Sequence, residues 1–358
     1  MNLDPTLIIG TGLIGASIGR CLTAAGVEVF LEDADHAHAV VAASRGAGMV
    51  AKPRPDVVSL VVVATPPSVV AQIVVDALHR YPNAIVADVA SVKASIEAAV
   101  LRLTAETGRP EDAGRYVGTH PMAGSHRAGP LTASDELFVD RTWVVCQRAG
   151  VLAEALDVVH QLVALSGARE VMLDAATHDR AVAVVSHLPQ LMASLTAARL
   201  LDAAPADLGL AGQGVRDVTR IAASDTDMWC QIVAANTAAV RGELQSVRDD
   251  LGRLIDGLDD PSSVEDVLRR GRAGVDALPG KHGKVRGELV GVVVQIPDTP
   301  GALARLFADI DAHGINVEDL SIEHDPVREA GYLSVQVAPE RAEPLTAALR
   351  SQNWQVRP

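Results

Sequence analysis

One histidine in this chain stands where proton chemistry is easily built. Gly118-Thr119-His120-Pro121-Met122-Ala123-Gly124 puts His120 at the end of an expected strand, pinned by Pro121 and flanked by glycines. A neutral imidazole near pH 7 can take a proton from a reacting hydroxyl. It can equally be a satisfied turn histidine, and the residues alone leave both readings open. Other polar groups recur in short motifs. Ser91 lies in Asp88-Val89-Ala90-Ser91-Val92-Lys93, where it can also cap a helix expected from near Val92. His187 and Gln190 lie in Ser186-His187-Leu188-Pro189-Gln190. Arg220, in Arg216-Asp217-Val218-Thr219-Arg220, can hold a carboxylate through two parallel bonds. Alone it is equally a surface arginine or the partner of Asp217.

A hydride acceptor is indicated further upstream. Leu7-Ile8-Ile9 is a short apolar run of buried-strand type, and Gly10-Thr11-Gly12-Leu13-Ile14-Gly15 follows at once. Ile14, Ile18 and Leu22 then recur at helical spacing. This is GxGxxG between strand and helix. Gly10 allows the tight turn, Gly12 the approach of a pyrophosphate, and Gly15 close packing of helix on sheet, with the helix N-terminus at Leu13 and Ile14 facing the phosphates. Val27–Leu31 reads as the second strand and ends in Glu32-Asp33, where an acid accepts from the adenosine ribose. Asp33 is the first choice. No cation follows before Arg45, so NAD is expected over NADP.

The elements that must position these groups follow from periodicity. Val57–Ala64, Ala84–Val89, the run into His120, Thr142–Cys146 and Arg169–Leu173 read as strands, with helices between most of them. That alternation predicts a doubly wound α/β domain over residues 1–173, with a parallel sheet and ligands at the strand carboxyl ends, Thr65 among them. Beyond Asp174 strand signals stop. An all-helical segment is expected over 174–280, with a kink or new start at Pro189. A long helix over Met228–Leu258 carries Val240, Leu244, Val247, Leu251, Leu254 and Leu258 as one apolar seam, for internal packing or a dimer interface. A linker at Pro279–Arg286 leads to a βαββαβ pattern over 286–358, of ferredoxin-like order.

Composition excludes several classes. The net charge is −14 and no basic cluster stands out, so neither nucleic acid nor an anionic membrane is an expected partner. No uninterrupted apolar run is long enough to span a bilayer, and the first residues have no signal-peptide pattern. Three scattered cysteines form no CxxC, so no metal site is expected and a reducing cytoplasm is the default. Hydrophobic residues make up 48% and aromatics 3%, so the cores rest on Ala, Val, Leu and Ile.

Taken together, Gly10–Gly15, Asp88–Lys93, His120–Gly124, Ser186–Pro189, Arg216–Ala222 and Met228-Trp229 with Asn236 resemble the prephenate dehydrogenase family in a form with a C-terminal ACT domain. The resemblance covers nearly the whole chain. It implies a Rossmann domain, a helical dimerisation domain and an amino-acid-sensing ACT domain. It also implies NAD-dependent oxidative decarboxylation of prephenate to 4-hydroxyphenylpyruvate, in tyrosine synthesis, by a homodimer. His120 would then be the proton acceptor, Ser91 would bond the substrate hydroxyl or His120, and Arg220 would hold a substrate carboxylate. His187 and Gln190 would lie at the substrate. Tyrosine is the expected effector, at Asp298, Pro300, Gly301 and Asn316. One departure stands out: the family commonly reads Ser-His-Leu-Pro-His, and here Gln190 replaces the last histidine. That opens arogenate, the side-chain amine analogue, as an alternative substrate. A reading of another class is a sensor that binds NAD and an amino acid without turnover.

Overall fold

The computed structural model describes residues 3–124, 129–278, 289–297, 299–317, 319–325 and 330–357. The expected linker at 279–286 and the effector candidate Asp298 lie outside these. The chain forms two compact units, Met1–Arg248 and Asp249–Pro358.

The first unit is built on seven strands. In chain order they alternate with helices: β1 (Thr6–Ile9), α1 (Leu13–Ala24), β2 (Val29–Glu32), α2 (His36–Ser44), β3 (Leu60–Val63), α3 (Pro67–Arg80), β4 (Ile85–Asp88), α4 (Ala94–Glu106), β5 (Tyr116–Pro121), β6 (Thr142–Cys146), α5 (Ala153–Leu165) and β7 (Arg169–Leu173). The sheet order is β2-β1-β3-β4-β5-β6-β7. All four residues of β3 are buried, because helices cover both faces. Leu60 and Val62 pack with Ile18, Leu22 and Val159 on one face. Val61 and Val63 pack with Val70, Val74 and Ile96 on the other.

The sheet is not parallel throughout, which corrects the expectation. β5 and β6 pair antiparallel, with His120 opposite Val144. A parallel return needs a crossover of a dozen or more residues, usually through a helix. Within the described part of residues 122–141 the only helical piece is a short 3-10 turn, Pro130–Thr132. β6 and β7, joined by α5, are again parallel.

The rest of the unit is helical: α6 (Ala175–Val182), a π-turn (Ala183–His187), α7 (Leu188–Arg199), α8 (Pro205–Leu208), α9 (Gln213–Thr219), a 3-10 turn (Arg220–Ala223), α10 (Thr226–Ala235) and α11 (Thr237–Asp256). The π-turn answers to Pro189, which cannot donate to the carbonyl four residues back, and Leu188 N–H bonds instead to Ala183 O. The single helix expected over Met228–Leu258 is broken at Asn236. Its amide is drawn to the main-chain oxygen of Asp179 at 2.7 Å. Along the seam Val240 is buried while Leu251 and Leu258 are exposed. α10 docks on the first half of the unit, with Ile232 and Trp229 against the α3 core and Ser68 Oγ donating to Gln231 Oε1 at 2.9 Å.

The second unit begins within α11. α12 (Pro261–Asp276) follows, held to it by Arg270 on Asp250. Then come β8 (Val290–Pro297), α13 (Ala302–Asp311), β9 (Asp319–Asp325), β10 (Ala330–Val337), α14 (Pro339–Ser351) and β11 (Gln355–Val356). These strands form an antiparallel sheet in the order β11-β8-β10-β9. Strand alternation puts Val292, Val294 and Ile296 with Leu333, Val335 and Val337 on the face that meets Leu306, Ile310, Leu345 and Leu349.

The three cysteines are free: Cys21 and Cys146 are buried and Cys230 is exposed. Burial pushes the Cys146 thiol up to about 12 and the Cys21 thiol up to about 11. Thiolate is the reactive form. Titration of the native protein with a chromogenic disulfide should therefore release one rapid equivalent, lost in Cys230→Ser, with two more only on denaturation. Three rapid equivalents would contradict this packing.

Candidate active site

The cradle expected for a dinucleotide falls on β1, the glycine loop and the start of α1. Gly10 has φ +95°, and a Cβ there would lie 2.4 Å from Ala64 O. A Cβ on Gly15 would lie 1.9 Å from Gly10 O, so the helix could not sit so close to the turn. A Cβ on Gly12, by contrast, meets nothing within 4 Å. Gly12 also carries no side-chain cap, which leaves the first-turn N–H groups of Leu13, Ile14 and Gly15 for an anion. Thr65 Oγ1, at the carboxyl end of β3, is buried without a hydrogen-bond partner among the described residues. Asp33 sits just past β2, and its carboxylate accepts from Thr11 and from Asp35 N–H. Open space at Gly12, an uncapped helix start and an orphaned hydroxyl fit a dinucleotide.

His120 is the penultimate residue of β5 and is buried. Its Nδ1 lies 2.8 Å from Nε2 of His178, on α6. His178 Nδ1 lies 2.8 Å from Asp179 Oδ1. Asp179 in turn accepts from the main-chain N–H groups of Lys93 (2.8 Å) and Ala94 (2.9 Å), at the start of α4. A carboxylate can only accept, so the proton on His178 sits at Nδ1. Its bare Nε2 then accepts from His120 Nδ1–H, which leaves His120 Nε2 as an unprotonated acceptor.

The electrostatics agree with that assignment. Burial first, then His178, Lys93 and His187, hold His120 well below the ordinary histidine value. Burial alone would raise the Asp179 carboxyl, but bonds from His178, Ala94 and Lys93 outweigh it and keep it below the usual carboxylate range. Lys93 is buried too. Its Nζ pairs with Asp88 Oδ1 and donates to Thr119 O at 2.8 Å, next to His120. Asp88 Oδ2 also accepts from Tyr116 OH at 2.7 Å.

His187 joins this cluster from the far side of the π-turn. It lies nine residues beyond His178. On a regular helix that spacing leaves the two about half a turn apart, and a turn that absorbs one extra residue reduces the angle to roughly 80°. His187 is buried, with Nδ1 3.2 Å from Asn236 Nδ2 and its ring edge-on to Trp229 at 6.0 Å.

The expected site residues thus fall into separate stations. His120 and His187 share one buried cluster. Ser91 sits on the loop between β4 and α4 and caps no helix among the described residues; the acceptor expected of it is supplied by Asp179. Gln190 is buried, and its amide donates to Ile221 O at 3.0 Å, on the 3-10 turn that begins with Arg220. Arg220 is exposed and makes no ion pair among the described residues, while Asp217 is engaged by Gln213 at 2.7 Å. In the second unit a cavity of about 130 Å³ is lined by Pro297, Thr299, Gly301, Leu303, Ile322 and Gly331. Gly301 is the expected effector residue on that lining, while Pro300 and Asn316 are exposed.

His178 and Asp179 were missed by reading motifs one at a time. Their one signal was a His-Asp pair in the first turns of an apolar helix. The buried group carries a consequence for stability. An unfolded histidine protonates near 6.5, and the folded His120 and His187 only below that. The unfolded chain therefore binds more protons as pH drops through and below that value, so stability is full above it and falls below it. The melting temperature should drop between about pH 7.5 and 5.5, and drop less in His120→Asn. Equal melting temperatures across that window would refute the neutral buried ring.

The chain is similar to known proteins along nearly its whole length. Residues 18–172 match the family model described as prephenate dehydrogenase, nucleotide-binding domain. Residues 174–269 match prephenate dehydrogenase, dimerization domain. The Streptomyces niveus protein named "Probable prephenate dehydrogenase NovF" is 35% identical over 97% of this chain and 98% of its own. A prephenate dehydrogenase of Lactococcus lactis is 26% identical over 96% of this chain and 95% of its own. The crystal structure of the A. aeolicus prephenate dehydrogenase, in complex with hydroxyphenyl propionate and NAD+, superposes with a TM-score of 0.66. It is 23% identical and covers 77% of this chain and 99% of its own, a likeness of fold.

Proposed function

The chain belongs to the prephenate dehydrogenase family, and we propose on that premise how its residues divide the work of the family's reaction. It is an NAD-dependent oxidoreductase that converts prephenate to 4-hydroxyphenylpyruvate and CO₂. The observation that carries the mechanism is the relay from Asp179 through His178 to His120, which leaves His120 Nε2 bare at neutral pH.

Gly10–Gly15 with Asp33 and Thr65 would hold NAD, which would supply the acceptor for the hydride from the ring carbinol carbon. His120 Nε2 takes the hydroxyl proton in the same event. The positive charge that develops on its ring is shared with His178 and meets the Asp179 carboxylate through it. Loss of the ring carboxylate as CO₂ aromatises the product, and His120 returns the proton to the phenolate oxygen. Ser91 orients the substrate hydroxyl. Arg220 takes a substrate carboxylate, and Gln190 steadies the turn that carries it. His187, locked by Asn236 and Trp229, forms part of the wall.

We read the helical segment as a homodimer interface. Val185, Leu195, Leu201 and Leu210, all in this segment, are 61%, 58%, 88% and 86% exposed, and a partner copy would cover such side chains. The βαββαβ unit reads as a ferredoxin-like ACT domain with its effector, tyrosine, in the cavity at Gly301. Three free thiols suit a reducing cytoplasm. Gln190 favours a second reading, arogenate as substrate, since a neutral amide stands where a histidine is usual and faces a main-chain carbonyl.

NADH formation with prephenate against arogenate tests the substrate directly. Turnover of neither would overturn the enzyme reading and leave a sensor. His120→Asn should cut kcat by roughly 10²- to 10⁴-fold. Arg220→Ala should raise the KM for prephenate more than it lowers kcat, and an unchanged KM would remove Arg220 from the site. The acid limb of kcat/KM should lie below the ordinary histidine value of 6.5.

A further inference from the structure

The glycine loop and the ribose acid are fastened to each other by a residue that the dinucleotide motif leaves unspecified. Thr11 is fully buried between Gly10 and Gly12. Its main-chain N–H donates to Asp33 Oδ2 at 2.6 Å, and its hydroxyl donates to the same oxygen at 2.8 Å. Asp33 Oδ1 accepts from Asp35 N–H at 2.9 Å. Glu32, the neighbouring acid, is turned to Arg80 at 3.3 Å and is not available as a substitute.

Three donors on one carboxylate have two effects. A carboxylate has about four acceptor positions, so one remains, on Oδ1. That suits one ribose hydroxyl. The carboxylate is also immobile: turning it aside breaks both Thr11 bonds at once. A 2′-phosphate arriving at the ribose then faces a fixed negative charge, and Arg80 is already paired with the neighbouring acid, Glu32. An unfastened aspartate can rotate toward solvent, and the repulsion weakens with distance and dielectric.

We propose that Thr11 is a cofactor-specificity residue: its hydroxyl locks Asp33 in place and thereby excludes NADP, while the same bonds set the phosphate loop and the ribose acid in one register. This rests on the reading of Asp33 as the ribose acceptor. Thr11 acts through Asp33 and is a positioning residue.

The test is cofactor discrimination, measured as the ratio of kcat/KM for NAD+ to that for NADP+, with dissociation constants for NADH and NADPH from fluorescence titration. Thr11→Ala should lower the ratio about tenfold, the scale of one hydrogen bond to a charged group. Thr11→Ser, which restores the hydroxyl, should return it to within about twofold of wild type. In an Asp33→Asn background Thr11→Ala should have no further effect, because the charge it steers is gone. An NAD+ preference that survives Thr11→Ala, or effects of the two substitutions that simply add, overturns the proposal alone. Equal use of both cofactors by the wild-type chain overturns the reading of Asp33 and this proposal with it. Should Thr11→Ala fail to fold, Thr11→Ser and Thr11→Cys carry the comparison: Ser must keep the ratio and Cys, a weak donor, must lower it.

Discussion

The Asp179 carboxylate lies across the first turn of α4, and the site depends on that contact. α4 begins at Lys93-Ala94 with no side-chain cap of its own, so its first N–H groups need an outside acceptor. Asp179 comes from another element, 85 residues along the chain from Ala94, and satisfies two of them. Hydrogen bonds to a charged group contribute about 1.5–3 kcal/mol each, and an anion at a helix N-terminus gains up to ~2 kcal/mol more. The same carboxylate orients His178, and His178 orients His120. One contact therefore caps a helix, docks the helical segment on the sheet and selects the tautomer of His120.

Around it the buried polar groups are paired rather than isolated. Lys93 and Asp88 are both buried, a costly arrangement unless every hydrogen-bonding position is used. Here Asp88 also accepts from Tyr116 and Ala90, and Lys93 also donates to Thr119 O. Through Tyr116 on Asp88 and Lys93 on Thr119 O, the strand that presents His120 is tied to the end of β4 and the start of α4. The Lys93 cation adds to burial and to His178 in opposing protonation of the imidazole. Asn236 completes the set by tying the Asp179 main chain to His187, and that tie is what breaks the expected long helix.

Much of this was legible in the residues. The alternation of apolar runs and helical stretches identified every strand of the first sheet. GxGxxG followed by Glu32-Asp33 marked the tight turn and the acid after β2, because those residues answer to local geometry: a left-handed φ at Gly10 and close approach at Gly15. His120 stood out by its proline and glycines. The kink at Pro189 was legible from a missing donor, but not its form as a π-turn, which depends on where the flanking side chains find partners. The direction of β6 was misread, since alternation counts strands without orienting them.

What the sequence determined by itself was everything set over a few residues: strand and helix periodicity, the glycine turn, the acid after β2, and the chemical character of His120, Ser91 and Arg220. What only the tertiary structure decided was the pairing of groups far apart in the chain. Asp179 capping α4, His178 bridging to His120, Lys93 donating to Thr119 O, and Thr11 fastened to Asp33 all join residues at least 22 positions apart. Hydrogen bonds and charge pairs act over about 3 Å, whatever the separation along the chain. Their partners are therefore fixed only when folding brings the elements into contact.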